Sequence, residues 1–367
     1  MSQSPSATTA TGRDGKPWSL PAEEGILAVL LVLTVAVMGA LNSAFFRPDN
    51  LLEMSRFFVE TGLIALAMTP IIISGGIDLS VGSIMGLCVV VMGLAWKRWG
   101  VGPECSVALG MLAGAIAGAG NGAFVAWVRV PPLIVTLATM AAYRGLALGL
   151  GAREPISDFP ASYYDLGQSY YTVLGVLQVP QQLPIFLVTL ALAAVALHRT
   201  VLGRQVYAIG HNERAAWFAG VPVARRKFVL YVFSGLMCGL AGAIFLSRVA
   251  TAKADAGTLM ELDVVTVCVL GGVSITGGRG SIVGTLLGLL IVSSLVRGLT
   301  MARVPFEDQK IVLGAVLIVA AVAYQLVSAR QGRRRPPSGR SPQENREAPT
   351  DQPPTSSQTP FVVPQGD

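Results

Sequence analysis

Three short stretches of this chain gather residue types that could do chemistry, and the chemistry they suggest is docking and solute handling rather than bond making. The first is Asn212-Glu213-Arg214-Ala215-Ala216-Trp217-Phe218-Ala219-Gly220-Val221-Pro222. Asn212 can cap a helix, Glu213 favours its positive N-terminal end, Gly220 can supply a left-handed stop and Pro222 prevents continuation. This spacing predicts a short helix with small residues and two aromatics flanked by cations. Such a helix can lie on anionic lipid or dock in a partner's cleft. The second stretch, Ser74–Ser83, contains Gly75, Gly76, Asp78 and Ser80 where one apolar run breaks and another begins. Asp78 is placed as an N-cap near the membrane interface, with direct handling of a solute or proton as the alternative. The third starts at Pro131-Pro132 and carries Thr136, Thr139 and Tyr143 at i, i+3 and i+7, roughly one helix face. Those hydroxyls can meet a polyhydroxylated solute, or they can bond neighbouring helices and their own backbone. Arg144 follows, about 20 Å along the helix at 1.5 Å per residue, and is expected to snorkel outward.

Enzyme motifs are missing from the sequence. It has no GxxxxGK[ST] phosphate cradle, no HExxH metal pair and no GxSxG nucleophile elbow. The run containing Gly271, Gly272, Gly277 and Gly278 looks like a nucleotide loop but lacks the lysine. Cys88, Cys105, Cys238 and Cys268 are scattered, which argues against a disulfide framework or zinc site and for helix packing. Neither His198 nor His211 has a ligand-spaced companion. No catalytic residue, metal or cofactor is implied for this chain.

The elements that must position these stretches are membrane helices. From Gly25 to Phe46 the chain carries no formal charge, and similar runs recur to about Ser328. With 52% hydrophobic and 13% charged residues, and a mean hydropathy of +0.60, a soluble fold would lack the polar surface to cover itself. The expected fold is all-α and polytopic. Windows of about 17–25 apolar residues are centred near residues 35, 66, 88, 116, 140, 190, 237, 269, 288 and 319, which predicts ten spans over 25–328. Residues 1–24 and 329–367 read as disordered tails, the second basic and proline-rich. The net charge of +6 is therefore a question of sides rather than of nucleic acid. With both tails and the connection 199–227 in the cytoplasm, cytoplasmic segments hold 16 Lys and Arg against 10 opposite, the bias expected of an inner-membrane protein. Gly110, Gly114, Gly118 and Gly122 form a small-residue stripe for close helix packing within the bundle, or for a dimer seam.

At these same segments the chain resembles the ribose/xylose/rhamnose-type permeases of bacterial ABC importers. The matching stretches are Ser74–Ser83, Asn121–Gly145, Gly203–Val223 and the run from Glu261-Leu262-Asp263 through Gly271–Ser281. The resemblance implies a permease that pairs with a second permease subunit, identical or paralogous. A cytoplasmic ABC ATPase that binds the ATP and a periplasmic sugar-binding protein complete the importer. It also implies that Asn212, Glu213, Arg214, Ala215, Ala216 and Gly220 form the segment that couples to the ATPase, with His211 where the family often has glycine. Asn121 joins Thr136, Thr139 and Tyr143 as a candidate for the solute pathway. The expected cargo is a monosaccharide or similar small polyol. Pro155–Pro160 leans towards rhamnose-type or autoinducer-2-type relatives. An ion-coupled secondary transporter is the alternative from another class, and the scarcity of mid-span charges speaks against it.

Overall fold

The computed structural model describes residues 22–151, 155–173, 175 and 177–333. Two units are distinguished, Met1–Val322 and Ala323–Asp367. The expected tails lie mostly outside the described residues.

In chain order the helices are α1 (Ala22–Leu41), α2 (Pro48–Ile73), α3 (Val81–Lys97), α4 (Pro103–Ala123), α5 (Pro132–Leu150), α6 (Asp165–Gln168), α7 (Gln182–Arg199), α8 (Val201–His211), α9 (Glu213–Phe218), α10 (Val223–Val249), α11 (Met260–Leu270), α12 (Ile282–Met301) and α13 (Phe306–Arg333). Proline opens α2, α4 and α5, where its missing N–H costs nothing. An antiparallel hairpin of β1 (Tyr170–Val173) and β2 (Leu177–Pro180) follows α6. Among the described residues, seven helices are long and apolar enough to cross a membrane: α1, α2, α4 with its π-helical extension to Val128, α5, α7, α10 and α12. Every predicted window meets a helix, but α3 has 17 residues and α11 only 11.

The hairpin marks one end of the bundle and α9 the other. At the hairpin end, Arg56 Nη1 donates to the Tyr170 hydroxyl at 2.7 Å, and that hydroxyl donates to Glu53 Oε2 at 2.6 Å. Burial, and then Glu53, pushes the Tyr170 hydroxyl up, so it keeps its proton as the donor. Arg248 holds the buried Glu60 through two bonds of 2.9 Å. At the α9 end, the Gly278 N–H donates to the Ile73 carbonyl at 2.8 Å.

The window near residue 269 predicts a full span, and the structure corrects this. At 1.5 Å per residue α11 is about 16 Å long, half of a bilayer's hydrocarbon core of about 30 Å. Residues 250–259 supply the other half as non-helical chain. They run antiparallel to α3: a Cβ at Gly93 would meet Ala252, one at Gly86 would meet Ala254 and Ala256, and one at Gly82 would meet Gly257. A second unwound stretch, 74–80, leads from α2 into α3. Non-helical backbone survives at membrane depth only where protein covers it. Ser74, Asp78, Ser80, Ala252 and Ala256 are buried, whereas Gly75, Lys253, Asp255, Thr258 and Leu259 are exposed.

The glycine stripe packs inside the bundle. Cβ atoms at Gly114 and Gly118 would collide with the carbonyl oxygens of Gly235 and Tyr231 on α10. Backbone therefore touches backbone along the α4–α10 seam, a contact that larger side chains would prevent.

Candidate functional site

The predicted docking segment is a separate, tightly capped helix. Asn212, in extended conformation, accepts from the Ala215 N–H at 3.0 Å and opens α9. At the other end, Val221 N–H bonds the Ala216 carbonyl and Gly220 N–H bonds the Trp217 carbonyl, each at 3.0 Å. That pair of bonds, with Gly220 at φ +82, is a Schellman stop. Ala216 is the buried anchor, packed with Ile209 and Val223. Glu213 pairs with Lys227 Nζ at 2.7 Å. Trp217 and Phe218 project outward, 61% and 81% exposed, with their rings edge to face at 4.9 Å. Arg214 and Ala215 are exposed on the same knob. The connection expected as a 199–227 loop is thus helical almost throughout, because α8 fills 201–211.

The glycine-rich motifs lie behind α9. A Cβ at Gly210 would strike the Ile73 carbonyl and the Gly278 backbone, and one at Gly277 would meet Gly75 and Gly210 at 3.1 and 3.2 Å. Three backbone segments therefore meet where α8 ends, α2 ends and the 271–281 loop turns. Gly76 and Gly271 also make close contacts, with Tyr231 and Gly284, while a Cβ at Gly272 would meet nothing. His211, Nδ1 2.8 Å from the Tyr207 carbonyl oxygen, lays its ring over Gly278.

Asp78 does not cap α3 at a wet interface as expected. The capping position belongs to Ser80, which makes no side-chain cap bond. Asp78 folds back instead: Oδ1 accepts from the Ser80 N–H at 3.0 Å and from the Ser80 hydroxyl, and Oδ2 accepts from Ser234 Oγ at 3.1 Å. Ser80 Oγ in turn accepts from Asn121 Nδ2 at 2.7 Å. Asp78, Ser80, Asn121 and Ser234 are fully buried. The physical reason is the unwound 74–80 stretch, which carries the carboxylate into the bundle, where neutral donors replace water.

The fifth-span hydroxyls are largely committed to backbone. Thr136 donates to Pro132 O at 3.0 Å and approaches Ile77 O at 3.3 Å; Thr139 donates to Val135 O at 3.0 Å. Tyr143 donates to Ala117 O at 2.9 Å, with Asn121 Oδ1 3.5 Å away. Arg144 does not snorkel outward. Its Nη1 donates to the Ala254 and Ala256 carbonyls at 2.6 and 2.8 Å, because the unwound 250–259 segment offers free carbonyls at that depth. Ser234 and the 250–259 break were invisible to sequence reasoning. A faint signal was present in Lys253 and Asp255, charges just before an apolar run.

Comparison with known proteins adds a family. Residues 50–321 match a family model described as "Branched-chain amino acid transport system / permease component". The chain is 40% identical over 306 residues to the ribose import permease protein RbsC of Bacillus subtilis (strain 168), covering 82% of this chain and 92% of that one. It is 36% identical over 311 residues to the autoinducer 2 import system permease protein LsrD of Shigella flexneri, and equally to that of Escherichia coli O9:H4 (strain HS), covering 83% of this chain and 92% of each relative. No solved structure matches. With apolar helices suited to a membrane, and three quarters of its length inside the family match, the chain belongs to this family of ABC importer permeases and is a multi-pass membrane component.

Proposed function

We propose that this chain carries a neutral monosaccharide, such as ribose, xylose or rhamnose, or a similar small polyol, inward across the inner membrane. In this reading ATP is hydrolysed on a separate cytoplasmic ATPase, a periplasmic binding protein delivers the solute, and a second permease subunit completes the pathway. Both termini and the α9 end face the cytoplasm, in line with the Lys/Arg bias. The observation that carries the reading is α9: a capped helix with one buried anchor, two exposed aromatics and a glycine stop, held away from the bundle as a docking knob.

Force applied to α9 passes first to α8, whose last turn meets the ends of α2 and the 271–281 loop at Gly210, Ile73 and Gly278. Immediately beyond Ile73 lies the unwound 74–80 stretch, where backbone can rotate without breaking helical bonds. Closure of the ATPase would thus reach the Asp78 network and alternate access across the bundle.

The test is Gly220→Val. A β-branched residue is strained at positive φ, and space is not the obstacle because a Cβ there would meet nothing. The variant should remain in the membrane while its ATPase loses stimulation by loaded binding protein; normal coupled uptake would remove the docking assignment. ATP-dependent uptake in reconstituted vesicles, insensitive to ionophores, separates this reading from an ion-coupled carrier. Autoinducer 2 is the second cargo reading, favoured by the names of the 36%-identical relatives. The family description mentions branched-chain amino acids, but relatives aligned over four fifths of this chain point to sugar-type cargo. Competition for uptake among ribose, rhamnose, xylose, autoinducer 2 and leucine decides between them.

A further inference from the structure

A cavity of about 280 Å³ opens between the hairpin-end halves of α2 and α12 and the first turns of α13, and it reaches Asp263 near the start of α11. Its size lies just below the range of about 300–1,000 Å³ typical of ligand sites, and like them it is mainly apolar with a few converging polar groups. The rings of Phe57, Phe58 and Phe306 provide flat apolar walls.

Two features distinguish this cavity from a packing defect. Lys310 Nζ bonds both Asp263 carboxylate oxygens, at 2.7 and 2.8 Å, yet the two side chains remain 33% and 29% exposed. An ammonium has three donors and a carboxylate about four acceptor sites, so the pair keeps both kinds of valence for a third party. The second feature is Thr61 and Ser293. Most mid-helix hydroxyls of the bundle, such as Thr69, Thr139, Thr189 and Thr285, donate to a carbonyl one turn back. The hydroxyls of Thr61 and Ser293 donate to no carbonyl among the described residues, as is also true of Thr266 and Ser294; of these four, Thr61 and Ser293 line the cavity.

We propose that this cavity is a transient subsite for a neutral polyhydroxylated solute of monosaccharide size. The carboxylate would accept from one solute hydroxyl, the ammonium would donate to its neighbour, and Thr61 and Ser293 would bond the opposite edge. Mutual neutralisation of Asp263 and Lys310 favours an uncharged guest. Arg297 at the wall stays charged, with its Nε bonded to Asn50 at 2.8 Å and its head beside the Phe57 ring, so the lining as a whole carries one positive charge. A small number of hydrogen bonds holds a solute without trapping it. The inference rests on the importer reading, with the hairpin end outward.

The experiment uses the full permease reconstituted with its ATPase and binding protein, with radiolabelled ribose, xylose and rhamnose as probes. Thr61→Val with Ser293→Ala keeps the shape of the site but removes two solute bonds. At about 1 kcal/mol per bond, apparent KM should rise roughly 30-fold, with unchanged thermal stability. Asp263→Lys combined with Lys310→Asp restores an ion pair between α11 and α13, so a purely structural latch would regain both stability and uptake. The subsite predicts regained stability with impaired uptake. Ser293→Trp, which fills the cavity, should lower turnover. Unchanged kinetics in the hydroxyl double variant, full uptake by the charge-swapped variant, or a filled cavity with normal turnover would each overturn the proposal and leave a lipid-filled or empty void. Uptake of none of the three sugars by the unmodified complex would instead bring down the importer reading for sugars, and the subsite with it.

Discussion

The α4–α10 seam and the α2–α12 side of the bundle are built from similarly apolar helices, yet they pack oppositely. Along the seam, Gly114 and Gly118 let backbone meet backbone and leave no room for even one methyl group. On the other side, bulky Phe57, Phe58 and Phe306 hold the helices apart, and a cavity with an accessible ion pair results. The difference shows how residue size, rather than hydropathy, divides a membrane bundle into a closely packed seam and a more open side. In lipid there is little hydrophobic drive between helices, so close packing decides which of them move as one.

The comparison is broken most severely at the seam itself. Gly118→Leu drives a side chain into the Tyr231 carbonyl, and the expected cost is about 3 kcal/mol, the upper end for overpacking. Little folded protein should be recovered from the membrane. A variant with wild-type yield and thermal stability would show that the seam is not rigid.

Arg144→Met examines the boundary between seam and break. It removes two charge-assisted bonds that one nitrogen makes to carbonyls 254 and 256, together worth about 1.5–3 kcal/mol. Hydrogen exchange over 250–259 should accelerate while the α4–α10 seam stays protected. Equal protection in both regions would mean that the arginine does not hold the break.

A smaller effect is expected at the docking knob, where Asn212→Ala deletes the bond to the Ala215 N–H at about 1 kcal/mol. Membrane insertion and bundle stability should be unchanged, while affinity for the ATPase subunit falls; equal affinity in a pull-down titration would detach capping from docking.

The smallest effects belong to the fifth span. Thr139→Val loses a bond within its own helix, so stability should change by no more than about 0.5 kcal/mol. Tyr143→Phe loses the bond to the Ala117 carbonyl and should cost about 1 kcal/mol. If either variant changes sugar preference with stability intact, this face lines the solute path.

Much was legible in the chain before any fold was known, and the reasons are local. Long uncharged runs are set by bilayer thickness, so the helical, multi-pass class follows from composition and window length alone. The α9 caps were equally readable, because Asn212 and Gly220 act within four residues of the groups they bond. Other features depended on neighbours distant in sequence. A hydropathy window weighs an unwound residue as it weighs a helical one, so the break at 250–259 and the half-length α11 could not be seen until α3 was in place beside them. Asp78 looked like a cap because its donor Ser234 lies 156 residues away. Arg144 looked like a snorkelling cation because the carbonyls that hold it belong to a segment 110 residues on. Which runs form apolar helix and which residues cap α9 were determined by sequence. Tertiary structure decided where buried charge resides, since at membrane depth a charged group goes to whichever unpaired backbone or side-chain dipoles the packing brings within reach.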